Sequence, residues 1–73
     1  MKPIGLALHI AKSGRLIIQC EHKIINGKII FDKRGNKIAK VGEIIGSIDN
    51  PYISAIPLNE KAKRVIGKKV FIK

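Results

Sequence analysis

Residues 37 to 48 read KIAKVGEIIGSI. β-Branched side chains dominate the run, and they suit a pleated strand better than a helix. Gly42 and Gly46 interrupt it. Glycines inside a strand mark a bulge, a sharp bend or a close approach of two backbones. Neighbouring side chains on an extended chain face opposite ways, so Ile44 and Ile45 cannot both enter one small core. At least one of them points outward and needs cover from outside the fold.

The flanking sequence reads as more strands. Upstream, DKRGNK (32–37) is a basic turn centred on Gly35, preceded by a short strand KIIFD (28–32) and a turn at Asn26-Gly27. Residues 4–21 form a hairpin around KSGR. In its first arm Leu6, Leu8 and Ile10 share one face, and Gly5, Ala7, His9 and Ala11 the other. In its second arm Leu16, Ile18 and Cys20 alternate with Ile17, Gln19 and Glu21. Downstream, DNP turns the chain, with Asn50 extended because Pro51 follows. YISAIPL (52–58) is a strand that Pro57 ends or places at an edge. NEKAKRVIG (59–67) reads either as one helical turn capped by Asn59 or as a basic loop, and KKVFIK (68–73) is a last strand. Short strands with glycine turns predict an all-β fold, a small six-stranded closed barrel formed by one domain over residues 1–73. Closure also removes sticky edges from an isoleucine-rich chain.

Length and inventory narrow the function. A chain of 73 residues buries only about 60% of its unfolded surface and has no mass for a deep interdomain cleft. It carries 15 Lys and Arg against 5 Asp and Glu, a formal charge of +10. Such an excess points to polyanions: RNA, DNA or an acidic partner. No apolar run approaches the roughly 18 residues of a membrane span, and nothing at the N-terminus reads as a signal peptide. The expected location is the cytoplasm, away from membranes. Cys20 is the only cysteine, so no intramolecular disulfide forms. It reads as a small buried thiol beside an exposed His22, and His9 as a surface or interface residue. Glu21, Asp32, Glu43, Asp49 and Glu60 sit beside turns or among lysines and read as solvated carboxylates. GEIIGS lacks the lysine and following helix of a phosphate loop. The expectation is therefore a protein without catalytic residues, metal, cofactor or small-molecule substrate.

Two basic groups remain. Lys33, Arg34, Lys37 and Lys40 surround the 32–37 turn. Lys61, Lys63, Arg64, Lys68 and Lys69 lie near the C-terminus. Lysine tracks phosphate without reading sequence. Stacking platforms need exposed rings, and the three aromatics are Phe31, Tyr52 and Phe71. Phe31 and Phe71 alternate with isoleucines and read as core, which leaves Tyr52.

The run FDKRGNKIAKVGEIIGSIDNPYISAIP (31–57) resembles the GAR family, the small accessory subunit of box H/ACA ribonucleoproteins. The likeness rests on the Asp-Lys-x-Gly turn, on Lys-Ile-x-x-Val-x-x-Ile-x-Gly, and on the Pro-Tyr that follows. GLALHIAKSGRLII resembles that family's first hairpin. The glycine- and arginine-rich tails of eukaryotic members are absent, so the chain is similar to an archaeal core form. Where the family commonly has Phe-Gly-Pro, this chain has Ile45-Gly46-Ser47, which keeps an apolar knob and loosens the backbone after Gly46. The resemblance implies a barrel of the translation-factor and reductase-isomerase type. It also implies a non-catalytic subunit that docks on the catalytic subunit of the pseudouridine synthase. There it influences a mobile loop that grips substrate RNA and favours turnover, in rRNA and tRNA modification and ribosome biogenesis. Guide RNA and substrate rRNA are then met mostly indirectly. On this reading Ile44, Ile45, Gly46, Ser47, Ile48, Pro51 and Tyr52 face the partner. Lys33, Arg34, Lys37, Lys61, Lys63, Arg64, Lys68 and Lys69 face RNA electrostatically. A second reading is a directly RNA-binding small basic barrel, ribosomal or translation-associated, whose lysine groups converge on one face.

Overall fold

Most β-branched residues among those described lie in strands. The computed structural model describes residues 1–20, 27–46 and 51–73. Its strands are β1 (Lys2–Ile10), β2 (Leu16–Cys20), β3 (Ile29–Phe31), β4 (Lys37–Gly46), β5 (Pro51–Pro57) and β6 (Lys69–Ile72), with a 3-10 helix over Glu60–Val65 between the last two. The strands pair in the order β1-β2-β5-β4-β3-β6 and close into a barrel. All-β architecture and closure are as the glycine-punctuated strands predict. The β3–β6 seam is the narrowest, with Phe31 opposite Phe71 as its one paired position.

The interior is aliphatic. Ile4, Leu16, Ile18, Ile30, Ile38, Ile53 and Val70 are fully buried. The helical turn resolves the ambiguity at 59–67. Asn59 caps it, its side-chain oxygen accepting from the Lys61 backbone N–H at 2.9 Å, and the Asn59 amide donates to the Lys37 carbonyl at 2.8 Å. The cap thus ties the helix to the start of β4, and Ala62 and Val65 turn into the core cluster. Pro57 is the last residue of β5, so it ends the strand.

Bulges decide which side chains enter. The common face expected for Leu6, Leu8 and Ile10 in the first arm of the hairpin does not hold. Register shifts between Ala7 and His9 against β2, and between Pro3 and Gly5 against β6. As a result Ile4 and Ala7 are buried, Leu8 is half-buried, and Leu6 is 37% exposed. An extra residue reverses the facing of everything beyond it. In β4 the extra residue is Gly42, between Val41 and Glu43 opposite β5. Val41 joins the inward row Leu16–Ala55–Val41. Past the bulge, Ile44 joins the row of the buried Ile18 and Ile53, and Ile45 joins the opposite-facing row of Gln19 and Tyr52.

Backbones also approach closely where β1 meets β2. A Cβ on Gly5 would run into the Gln19 carbonyl oxygen. Relief would require the strands to part, so Gly5→Ala should exceed the usual overpacking cost of about 1–3 kcal/mol. At about 4–8 °C per kcal/mol for a domain of this size, thermal circular dichroism should show a Tm fall of roughly 10 °C or more. The exposed Ser13→Ala should leave Tm nearly unchanged.

Candidate functional site

The barrel presents an apolar rim and, on other elements, a basic hollow. The rim is the far end of the β4–β5 ribbon. The β3 side of β4 is covered as far as Val41, whose N–H donates to the Lys28 carbonyl at 2.8 Å and whose carbonyl accepts from the Gly27 N–H at 3.1 Å. Beyond Val41, no strand among the described residues pairs with β4 on that side. Ile44 is 43% exposed although it lies on the core-facing row, and Ile45 on the outer row is 44% exposed. The isoleucine surplus is therefore larger than strand geometry alone requires, with both side chains partly open to water. Gly46 closes β4 with φ +91°, a left-handed value that glycine adopts freely. Half-buried Tyr52 and Pro51 stand opposite Ile45 and Gly46. The structure thus gathers Ile44, Ile45, Gly46, Pro51 and Tyr52 at one end of the ribbon. Ser47 and Ile48 lie outside the described residues.

The hollow begins at the 32–36 turn. Asp32 Oδ1 accepts from the backbone N–H groups of Arg34 and Asn36, both at 2.9 Å, and Oδ2 accepts from the Asn36 amide at 3.0 Å. Main-chain bonds from Gly35 N to Asp32 O and from Asp32 N to Asn36 O, each 3.0 Å, complete the clamp. Desolvation pushes the Asp32 carboxyl up. Hydrogen bonds from Asn36 and Arg34 and the charge of Lys61 outweigh it, so its pKa lies below the ordinary value.

This clamp fixes the turn that carries Lys33 and Arg34 beside the helical turn and the start of β6. Lys33, Arg34, Lys61, Arg64, Lys68 and Lys69 line one open hollow of about 810 Å³, with Phe71 in its wall and Asp32 as the single acid of its lining. Two groups of cations far apart in sequence therefore meet. Lys37 and Lys63 do not join them. Lys63 pairs instead with Glu60 at 3.3 Å, a highly exposed contact worth little to stability. Phe71 corrects its reading as core. It is half-buried and belongs to the hollow, whereas Phe31 is buried under the Lys73 ammonium, 5.2 Å from the ring centre.

Cys20 is buried and His9 exposed, and His22, Glu21 and Asp49 lie outside the described residues. Among the described residues no group of three or more His, Cys, Asp or Glu is placed to hold a metal ion. No helix among them is long and apolar enough to cross a membrane. In chemical terms, the rim offers apolar contact and the hollow offers convergent positive charge beside an aromatic ring.

No family model matches the chain. It is similar to an uncharacterized protein of Methanothermobacter thermautotrophicus, 32% identical over 76 residues, an alignment that spans 99% of this chain and 83% of that protein.

The Asp32 clamp has a pH signature. Its folded pKa is depressed below the unfolded value of about 3.9. Its contribution is therefore complete above that value and is lost as pH falls through the folded one. Denaturant midpoints of the protein and of Asp32→Asn should differ at pH 7, and the difference should shrink as pH falls below the unfolded carboxylate value of about 3.9. A constant difference across that range would show that the carboxylate charge contributes nothing.

Proposed function

The chain belongs to one family with the Methanothermobacter thermautotrophicus protein, and for this barrel we propose the role of a non-catalytic subunit of an H/ACA guide-RNA pseudouridylation complex. It docks on the catalytic subunit of the pseudouridine synthase and aids substrate RNA loading and turnover. The observation that carries the reading is the exposed end of the β4–β5 ribbon, where no strand among the described residues pairs with β4 beyond Val41. Ile44 and Ile45 are exposed on its two faces, beside Gly46, whose missing side chain permits close backbone approach. The same residues form the part of the sequence that resembles the accessory subunit, and the resemblance names a partner for them. Solvent-exposed aliphatic side chains grouped at one edge are a reason to expect a protein partner. The charge of +10 then acts at long range, drawing the subunit towards RNA held by the complex. No catalytic group is needed for this work. Clamping and positioning an active subunit requires contact surface, not chemistry.

Binding to the purified synthase subunit tests the reading. Ile45 lies on the outer row away from the core, so Ile45→Asp should leave the circular dichroism melt unchanged. It should weaken synthase binding at least about 30-fold, the scale of a 2 kcal/mol interface hot spot. The variant should also fail to raise the turnover of the reconstituted complex. A protein that ignores the synthase and binds bare guide RNA tightly at physiological salt would refute the docking role.

A further inference from the structure

The basic hollow is separate from the rim and is built from different elements. Its cations come from the clamped 32–36 turn, the 3-10 helix and the entry to β6. Convergence of this kind costs free energy, because like charges repel and no acid lines the hollow except Asp32. The Asp32 carboxylate already accepts three N–H donors, two from backbone and one from the Asn36 amide. It holds the turn in shape and does not form an ion pair with the lysines around it. Among the described residues the one ion pair joins Lys63 to Glu60, and Lys63 lies outside the hollow. The six lining cations thus share a single acid, Asp32, whose carboxylate feels the charge of Lys61 but makes no ion-pair contact among the described residues.

Phe71 says more about the ligand. Lys69 and Phe71 alternate on the terminal strand and both line the hollow, with Val70 buried between them. A ring in the wall of a hollow lined by cations suits a stacked base with its phosphates on the charges, the pattern of single-stranded nucleic acid sites. An acidic peptide would use the charges and leave the ring idle.

We propose that this hollow is a direct binding site for single-stranded RNA, with Lys33, Arg34, Lys61, Arg64, Lys68 and Lys69 on the phosphates and Phe71 against one base. The choice of RNA over DNA rests on the ribonucleoprotein reading above; the phosphate-and-ring chemistry stands without it. The subunit then holds protein at one place and RNA at another, and it touches RNA directly.

The test is fluorescence anisotropy with a labelled uridine dodecamer across a salt series. Neutralising Lys61, Arg64 and Lys69 together to Gln should flatten the plot of log K against log salt by about 2, at roughly 0.7 for each phosphate left without its cation. Neutralising Lys2, Lys12 and Lys40, which are exposed elsewhere on the barrel, removes the same net charge and should change the slope far less. Phe71→Leu keeps an apolar side chain and should weaken binding at least about 5-fold at unchanged slope. Melting curves check that each variant is folded. Equal losses from the two triple variants, or competition by poly-glutamate as effective as by unlabelled RNA, would overturn the site. Preference for a thymidine dodecamer over uridine would overturn the assignment to RNA. Synthase binding, measured on the same variants, should be retained, so a failed hollow and a failed docking rim are distinguishable.

Discussion

The pairing of β4 with β5, with Gly42 as the one extra residue, is the constraint on which the rest depends. A Cβ at Gly42 would stand 2.8 Å from the Ser54 carbonyl oxygen and 2.6 Å from the Arg15 guanidinium, so glycine is what lets the bulge sit tight against β5. Before the bulge, Val41 fills the barrel with Leu16 and Ala55. After it, the facing reverses, and Ile45 is delivered to the outer row with Tyr52 while Ile44 stays on the row of Ile18 and Ile53. Without that reversal, Ile45 would compete for interior space that a chain of 73 residues does not have. The bulge thus converts surplus hydrophobicity into an external surface.

Charge is distributed by the same economy of small size. Among the described residues the core holds no buried polar or charged side chain, as expected where burying an unpaired charge costs more than a small domain can spare. The described cations are therefore at the surface, and the loops decide where. The Asp32 hydrogen bonds fix one loop, the Asn59 cap fixes another, and the Asn59 amide bonded to the Lys37 carbonyl joins the helix to β4. These polar contacts bring Lys33 and Arg34 beside Lys61 and Arg64. The apolar rim and the basic hollow follow from two kinds of local device, a bulge in a strand and capped turns between strands.

Much of this is legible in the sequence. The six strands, the closed barrel and the buried Cys20 follow from β-branched runs, glycine turns and the ordinary preference of a thiol for the interior. The outward isoleucine is also legible, because strand geometry forbids two neighbours from facing one way. What escapes is non-local. Bulges at Leu8 and Gly42 are set by pairing partners, so the common face expected for Leu6, Leu8 and Ile10 breaks down. The meeting of the two cation groups depends on barrel closure bringing β6 beside β3. Phe71 misleads because its isoleucine neighbour suggests a core strand. The better signal is its alternation with Lys69, which places the ring on the side of the hollow.

On the proposed reading, one barrel carries two separate surfaces, an apolar rim for a protein partner and a basic hollow for RNA. Backbone amide shift mapping on 15N-labelled protein tests it most directly, with the synthase subunit added in one titration and the uridine dodecamer in another. Two sets of shifted residues that do not overlap are expected. Ile44, Ile45, Gly46 and Tyr52 should move with the synthase, and Arg34, Arg64, Lys69 and Phe71 with RNA. Shifts from both ligands on the same residues, or RNA shifts spread evenly over all exposed lysines, would contradict it.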